Sequence, residues 1–258
     1  MTDFIEEIIK SVRGTIESGY YNVDPVEHEK VSLKKTVLSC TKNPIIAEFK
    51  PASPSRGFLR NSEDAVQIAV SAERAGAVGI SVLTEPKYFH GSLNSFKNIR
   101  KTVNIPLLMK DFIVSYTQVE AASRIGADAI LLIQKLFDKE YSQASLEEMI
   151  DIAHSYDIEV LLEVHSLEEF LNAIYSGADM IGINNRNLST LEVDINTTIN
   201  ILSKYGTCGK IIVSESGIDS PGQMRLLREY GVKAFLIGTS IMLSEDVEEK
   251  IRSFVEAD

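Results

Sequence analysis

The chain has 258 residues, 44% of them hydrophobic, and a formal net charge of −11. That length suits one large domain, and parallel barrels reach it undivided. The acidic balance disfavours non-specific nucleic-acid binding, no apolar run approaches the roughly 20 residues that cross a bilayer, and the start MTDFIEEIIK carries acid where a secretion signal carries Lys or Arg.

In chain order, FIEEIIKSVRGTI places Phe4, Ile5, Ile8, Ile9, Val12 and Ile16 at a helical period, and VEHEKVSLKKTVL predicts a second helix. Residues 1–44 therefore read as an N-terminal helical extension that either packs on one end of the following structure or forms a lid. Eight short apolar runs follow, near 45–50, 78–83, 105–109, 129–133, 158–162, 180–183, 210–213 and 234–237. They lack clean alternation, as strands buried on both faces do. Amphipathic stretches separate them: DAVQIAVSAERAG, with Asn61 and Ser62 as capping residues, SYTQVEAASRIG, SLEEFLNAIYSG and SPGQMRLLREYG, each ending at glycine. The glycines Gly76, Gly126, Gly177 and Gly231 also open similar segments (AGAVGISVL, GADAILLI, GADMIGIN, GVKAFLIG) spaced by about two βα units. Common helix-to-strand punctuation would produce the same words. Four paired units nevertheless predict an α/β fold of the (β/α)8 TIM-barrel type over residues 45–258, in a single domain spanning 1–258.

Five runs end in a charged or amide residue, at Glu48 and Lys50, Lys110, Glu163, Asn184 and Glu215. Alternate residues of a strand share a face, so Glu48 pairs with Lys50 and Lys110 with Phe112. Such residues at strand C-terminal ends are where barrel enzymes carry their chemistry. Desolvation would lower the pKa of a lysine there, and carboxylates would raise it. Two lysines and three glutamates suggest proton transfer, with no metal site: His28, His90, His154 and His165 are scattered, and HSLEEF is not H-E-x-x-H. His165, next to the mouth, reads as an incidental loop histidine ahead of the other reading, a residue that supports the site from behind. A Schiff-base role for Lys110 is the rival chemistry.

SESGI places Ser216 and Gly217 after the seventh run, and LIGTSIM places Gly238 and Thr239 after the eighth. Barrels frequently bind phosphate in these two loops. In the first loop, KPASPSRG adds Ser53 and Gly57. No dinucleotide, P-loop or nucleophile-elbow motif is present. Cys40 and Cys208 lack C-x-x-C spacing and read as packing residues of a cytoplasmic protein.

Taken in order, IIAEFKPASPSRG, SVLTEPKYFHGS, PLLMKDFI, LLEVHSLEEF, IGINNRNL, VSESGI and AFLIGTSIM closely resemble the indole-3-glycerol phosphate synthase family over nearly the whole chain. The resemblance implies ring closure of 1-(2-carboxyphenylamino)-1-deoxyribulose 5-phosphate, with loss of carbon dioxide and water, in tryptophan biosynthesis, without a cofactor. It implies Lys110 as the general acid, Lys50 at the substrate carboxylate and taking part in proton transfer, Glu163 as a second acid–base group, and Glu48 as the carboxylate that holds the lysine or relays protons to it. Asn184 and Glu215 would orient the amine and hydroxyls, and Arg186 would support the carboxylate end. Ser53, Gly217, Gly238 and Thr239 match phosphate ligands; Phe89, Phe112, Leu131 and Leu188 would hold the benzene ring. One departure is Pro51, where the family usually has Arg or Lys; another is Thr239 in place of a common Ser. The rival readings are a phosphoribosyl-sugar isomerase on the same barrel and a degenerate barrel kept as an assembly partner.

Overall fold

The computed structural model describes residues 4–257; residues 1–3 and 258 of the expected 1–258 domain lie outside the described residues. In chain order the strands are β1 (Ile45–Phe49), the short pair β2 (Ala52–Ser53) and β3 (Gly57–Phe58), then β4 (Gly79–Leu83), β5 (Leu107–Lys110), β6 (Ala129–Ile133), β7 (Glu159–Val164), β8 (Met180–Asn184), β9 (Ile212–Glu215) and β10 (Ala234–Ile237). β2 and β3 form an antiparallel ribbon; the other eight are parallel and close into a barrel, β10 pairing with β1. The helices are α1 (Phe4–Glu17), α2 (Leu33–Ser39), α3 (Ala65–Arg74), α4 (Leu93–Arg100), α5 (Tyr116–Arg124), α6 (Gln134–Asp138), α7 (Leu146–Ser155), α8 (Leu167–Ala173), α9 (Asn196–Tyr205), α10 (Pro221–Glu229), α11 (Thr239–Met242) and α12 (Val247–Val255). The chain is a (β/α)8 barrel with helices before its first strand. No helix among the described residues is long and apolar enough to cross a membrane.

Two apolar cores form because each strand buries both faces. Outward residues such as Phe49, Val82, Met109 and Phe235 pack under the helices, while Ile46, Leu108, Leu131, Leu161 and Val213 fill the barrel. Ser115 and Ser220 make capping boxes with Gln118 and Gln223, and Ser166 caps α8. These hydroxyls satisfy N–H groups that a helix start leaves orphaned. Gly76, Gly126 and Gly231 take left-handed backbone after their helices, φ 87, 83 and 97°, a conformation that glycine enters without strain.

Three expectations change. The second helix starts at Leu33, capped by Ser32, and does not extend back to Val26. Residues before it are pinned along the barrel instead: Val26 N donates to Arg124 O at 2.7 Å, Lys30 Nζ to Ala127 O at 2.7 Å and Val31 N to Asp128 Oδ1 at 2.9 Å. Asn61 precedes, and Ser62 opens, a 3-10 turn, Ser62–Asp64, and α3 begins only at Ala65 without a side-chain cap. Cys208 is exposed, not packed, although both cysteines are free.

The two halves of the N-terminal extension go to opposite ends. α2 buries Leu33 and Val37 in the interior core and bonds at strand N-termini, its Lys34 N donating to Glu159 Oε2 at 2.9 Å. α1 and the residues after it reach the other rim. Phe4 meets Tyr88 edge-on, with ring centroids 5.8 Å apart, and Tyr20 Oη donates to Thr84 O at 3.0 Å. α2 thus packs on one end of the barrel, while α1 and the residues after it lie at the other.

Candidate active site

Strand register builds the site. In a parallel ladder, residues in register face the same way. Ile46 aligns with Leu236, Glu48 with Ser81, Leu83 with Lys110, Ile133 with Glu163, Glu163 with Gly182, and Asn184 with Glu215. The final inward positions of β1, β5, β7, β8 and β9 are therefore Glu48, Lys110, Glu163, Asn184 and Glu215, gathered in one cavity.

Lys110 stands at the centre. Its Nζ lies 3.0 Å from Glu163 Oε2 and 2.7 Å from Glu215 Oε2. Lys50 Nζ donates to Glu48 Oε1 at 2.7 Å. Burial alone would lower the pKa of Lys110, but Glu163, Glu215 and Glu48 reverse this and raise it, so the ammonium persists. Glu163 moves the other way: burial opposes its charge, yet Lys110 and His165 hold its pKa low. Glu48 is also lowered, by Lys50 and Lys110 acting against burial. Glu215 differs. Burial, with Glu163 and Glu48 nearby, outweighs Lys110 and pushes its pKa up to about 7. Its Oε1 is buried with no hydrogen-bond partner among the described residues. Around the fixed cation of Lys110 the site therefore holds two fixed anions and one carboxyl poised to change protonation near neutrality.

Glycine makes this crowding possible. A Cβ on Gly182 would run into Glu215 Oε1, and one on Gly238 into Glu48 Oε1. The carboxylates occupy the space that side chains at those positions would take.

Apolar residues line one side of the cavity, including Phe89, Phe112, Leu131 and Leu188. The rings of Phe89 and Phe112 are tilted at 40° with centroids 6.0 Å apart. Elsewhere the wall is Ser216, Gly217, Gly238 and Thr239. Ser216 and Gly217 both have left-handed backbone, φ 66 and 74°; for serine this is uncommon and turns the chain sharply beneath the cavity. Arg186 crosses the mouth, its Nη1 donating to Leu191 O at 2.9 Å and to Ser55 Oγ at 3.2 Å. Asn184 Oδ1 accepts from Arg186 N at 3.0 Å.

Ser53 is the one expected site residue that the structure does not bring to the cavity wall. It sits in β2 opposite Gly57, with its hydroxyl buried and without a partner among the described residues. Pro51 anchors the same loop by accepting from Leu59 N at 2.7 Å and Arg60 N at 3.1 Å.

Arg56, Asp219 and Ser240 also line the cavity and were missed. Arg56 lies inside the loop that drew attention for its Ser and Gly, and Ser240 directly follows Thr239. Both could have been found by extending the same motifs. Asp111 had no signal, because it lies off the inward parity; its carboxyl accepts from Phe112 N at 2.8 Å and from Tyr21 Oη at 3.0 Å. His165 is not incidental: its side chain is 7% exposed and stands 3.0 Å from Glu163 Oε1. Among the described residues no group of three or more His, Cys, Asp or Glu is disposed to hold a metal ion.

Residues 6–254 match the sequence model of the family described as indole-3-glycerol phosphate synthase. Relatives bearing that name include one from Methanocaldococcus jannaschii, 42% identical over 256 residues, covering 97% of this chain and 92% of the relative. Another, from Pyrococcus abyssi, is 41% identical over 228 residues, covering 87% and 96%. Among solved structures, thiamine phosphate pyrophosphorylase from Pyrococcus furiosus superposes with a TM-score of 0.61 at 18% identity, covering 86% of this chain and 96% of that one. N-acetylmannosamine-6-phosphate 2-epimerase from Clostridium perfringens gives 0.60 at 15%, covering 83% and 93%. Those two likenesses establish the barrel alone.

Proposed function

The chain belongs to the indole-3-glycerol phosphate synthase family, and we propose that it closes the indole ring of 1-(2-carboxyphenylamino)-1-deoxyribulose 5-phosphate, releasing carbon dioxide and water. The observation that carries this reading is the Lys110 ammonium, 3.0 Å from Glu163 and 2.7 Å from Glu215, beside an apolar wall containing Phe89 and Phe112.

The reaction needs a flexible substrate folded until a ring carbon meets a carbonyl carbon. Fixing its two ends supplies much of that, since reacting atoms held about 3–3.5 Å apart no longer search for each other. In this reading Phe89, Phe112, Leu131 and Leu188 take the benzene ring. The backbone at Ser216, Gly217, Gly238 and Thr239 takes the phosphate. Ser53 joins them if the β2–β3 ribbon turns inward, its hydroxyl having no hydrogen bond among the described residues to give up. Lys50 and Arg186 meet the substrate carboxylate, and Asn184 steadies the amine. Lys110 protonates the carbonyl oxygen as the carbon–carbon bond forms. Carbon dioxide then leaves and the ring nitrogen's electrons expel water, a step that requires an acid and a base; Glu163 and Glu215 are the available pair, with Glu48 holding Lys50.

The free ammonium is a weak acid here because two carboxylates stabilise it. Substrate must therefore weaken those contacts as it delivers a developing alkoxide, which restores the driving force for transfer. The whole chain, 1–258, is taken as one domain with 1–44 as its extension; α2 bonded beneath the strands and Tyr21 bonded to Asp111 support that.

The chain has no tryptophan, so indole-type fluorescence after adding this substrate reports product directly. Lys110→Met is expected to reduce turnover by at least about 10³-fold while substrate binding stays within roughly threefold. Equal losses in binding and turnover would make Lys110 a binding group.

A further inference from the structure

Glu163 has two cationic neighbours, one on each oxygen. Oε2 holds Lys110; Oε1 lies 3.0 Å from His165 Nε2. The other ring nitrogen, Nδ1, lies 3.3 Å from Glu169 Oε2, and the same oxygen accepts the His165 backbone N–H at 2.8 Å. Glu169 is itself fixed in the first turn of α8, its N–H donating to the Ser166 cap at 3.2 Å. His165 and Glu169 do not line the cavity, so neither meets substrate.

A neutral imidazole carries one N–H and one lone pair. With a carboxylate oxygen against each nitrogen, the neutral ring would turn a lone pair toward one of them. The arrangement therefore favours the doubly protonated ring. The Nε2 contact is not aligned as a hydrogen bond, so it acts through charge. A row of alternating charge results: Glu169, His165, Glu163, Lys110, then Glu215. Glu48, on β1, also interacts with Glu163 through charge.

We propose that His165, clamped by Glu169, is a positioning residue that holds Glu163 Oε1 and so leaves Oε2 alone to face Lys110 and the substrate. This rests on the proton-transfer reading of Lys110 and Glu163 given above. Without the clamp the carboxylate can rotate and offer either oxygen to Lys110. Burial opposes the imidazolium, but the carboxylates of Glu163 and Glu169, one beside each ring nitrogen, overcome it and raise its pKa to about 9. The clamp is thus closed at neutral pH and releases as pH rises through that value.

The test compares wild type, His165→Gln and Glu169→Gln by steady-state turnover across pH and by NMR of labelled histidine; only four imidazoles are present. In wild type the His165 ring should be cationic at neutral pH, and kcat should fall as it deprotonates. His165→Gln should lower kcat by at least about tenfold with KM within about threefold, and should lose that alkaline fall. Glu169→Gln keeps the ring but removes a stabilising anion, so both the NMR midpoint and the fall in kcat should move to lower pH. This second variant carries the test if the first does not fold. A His165 ring that is neutral at neutral pH, or wild-type kcat with an unmoved alkaline limb in the folded variants, overturns the proposal. Failure of the underlying reading looks different: wild type itself would yield no fluorescent product, while the NMR titration would still report the charge on His165.

Discussion

At the strand N-termini, Asp128 faces the buried Arg100; at the strand C-termini, Lys110 faces Glu163 and Glu215. Both clusters are buried, at opposite ends of the same barrel. Asp128 Oδ2 accepts from Arg100 Nη1 at 2.8 Å and Leu107 N at 2.8 Å, while Oδ1 accepts from Val31 N at 2.9 Å. Each of its oxygens has a donor held by backbone or by a second anchored residue, as Arg100 also donates to Ile105 O at 3.2 Å. In contrast, Glu215 Oε1 has no partner among the described residues and Lys110 serves two anions at once. Asp128 is a saturated joint, with only His28 Nε2, 3.8 Å from its Oδ1, left unpartnered beside it among the described residues. The other end is deliberately incomplete, because groups that must exchange protons or partners with a substrate cannot be fully occupied beforehand.

The largest break in that contrast is expected at the saturated end. Asp128→Ala leaves Arg100 buried without its carboxylate and frees the Val31 and Leu107 N–H groups. Removing one partner of a buried pair typically costs about 3–5 kcal/mol, and urea unfolding should show a loss in that range. kcat per folded molecule should hold within about twofold, because no cavity residue is touched. A stable variant with crippled turnover would mean that the two ends are not separable.

Gly182→Ala tests the incomplete end. The new methyl would occupy the place of Glu215 Oε1, so the carboxylate must move away from Lys110. The expected loss is about ten- to hundredfold in kcat, with a smaller fractional effect on the urea midpoint than Asp128→Ala. Full activity with an unchanged midpoint would show that the Glu215 geometry is not needed.

The same contrast explains what the sequence made legible. Strand parity alone predicted that Glu48, Lys50, Lys110, Glu163, Asn184 and Glu215 converge, because one-dimensional alternation survives folding into a closed ladder. Fold class followed from eight apolar runs separated by amphipathic ones, and the family motifs added Phe89, Leu131, Leu188 and Arg186. What escaped were features set between elements. The segment 26–32 has helical composition, yet Asp128, Ala127 and Arg124 compete for its backbone and side chains and hold it extended. His165 looked incidental because its significance depends on Glu169 lying one helical turn onward and curling back. The direction of the Lys110 shift needed the distances: desolvation and paired carboxylates oppose each other, and only two anions within 3.0 Å decide for the charged form.

Glu215 provides the smallest and most diagnostic effect, because its sign is opposite to that of its neighbours. Its folded pKa is raised to about 7 from 4.5, by burial first. Stability linked to it is therefore fully present below the unfolded value and is lost as pH rises through the folded one. Glu163 and Glu48, whose folded pKa values are lowered, contribute stability at neutral pH that is lost only in acid. Glu215→Gln imitates the protonated form and removes the first effect while leaving the others. The melting temperature of the variant minus that of wild type should thus increase between pH 5 and pH 8, the interval that spans the raised pKa. One proton gives at most about 1.4 kcal/mol per pH unit; sharing of charge with Lys110 and Glu163 reduces this, so a widening of about 1–2 kcal/mol, or a few degrees, is expected. Turnover should fall, since the group that changes protonation is gone. A difference that shrinks with rising pH would place Glu215 with the fixed anions and return the mouth of the barrel to the same saturated class as its base.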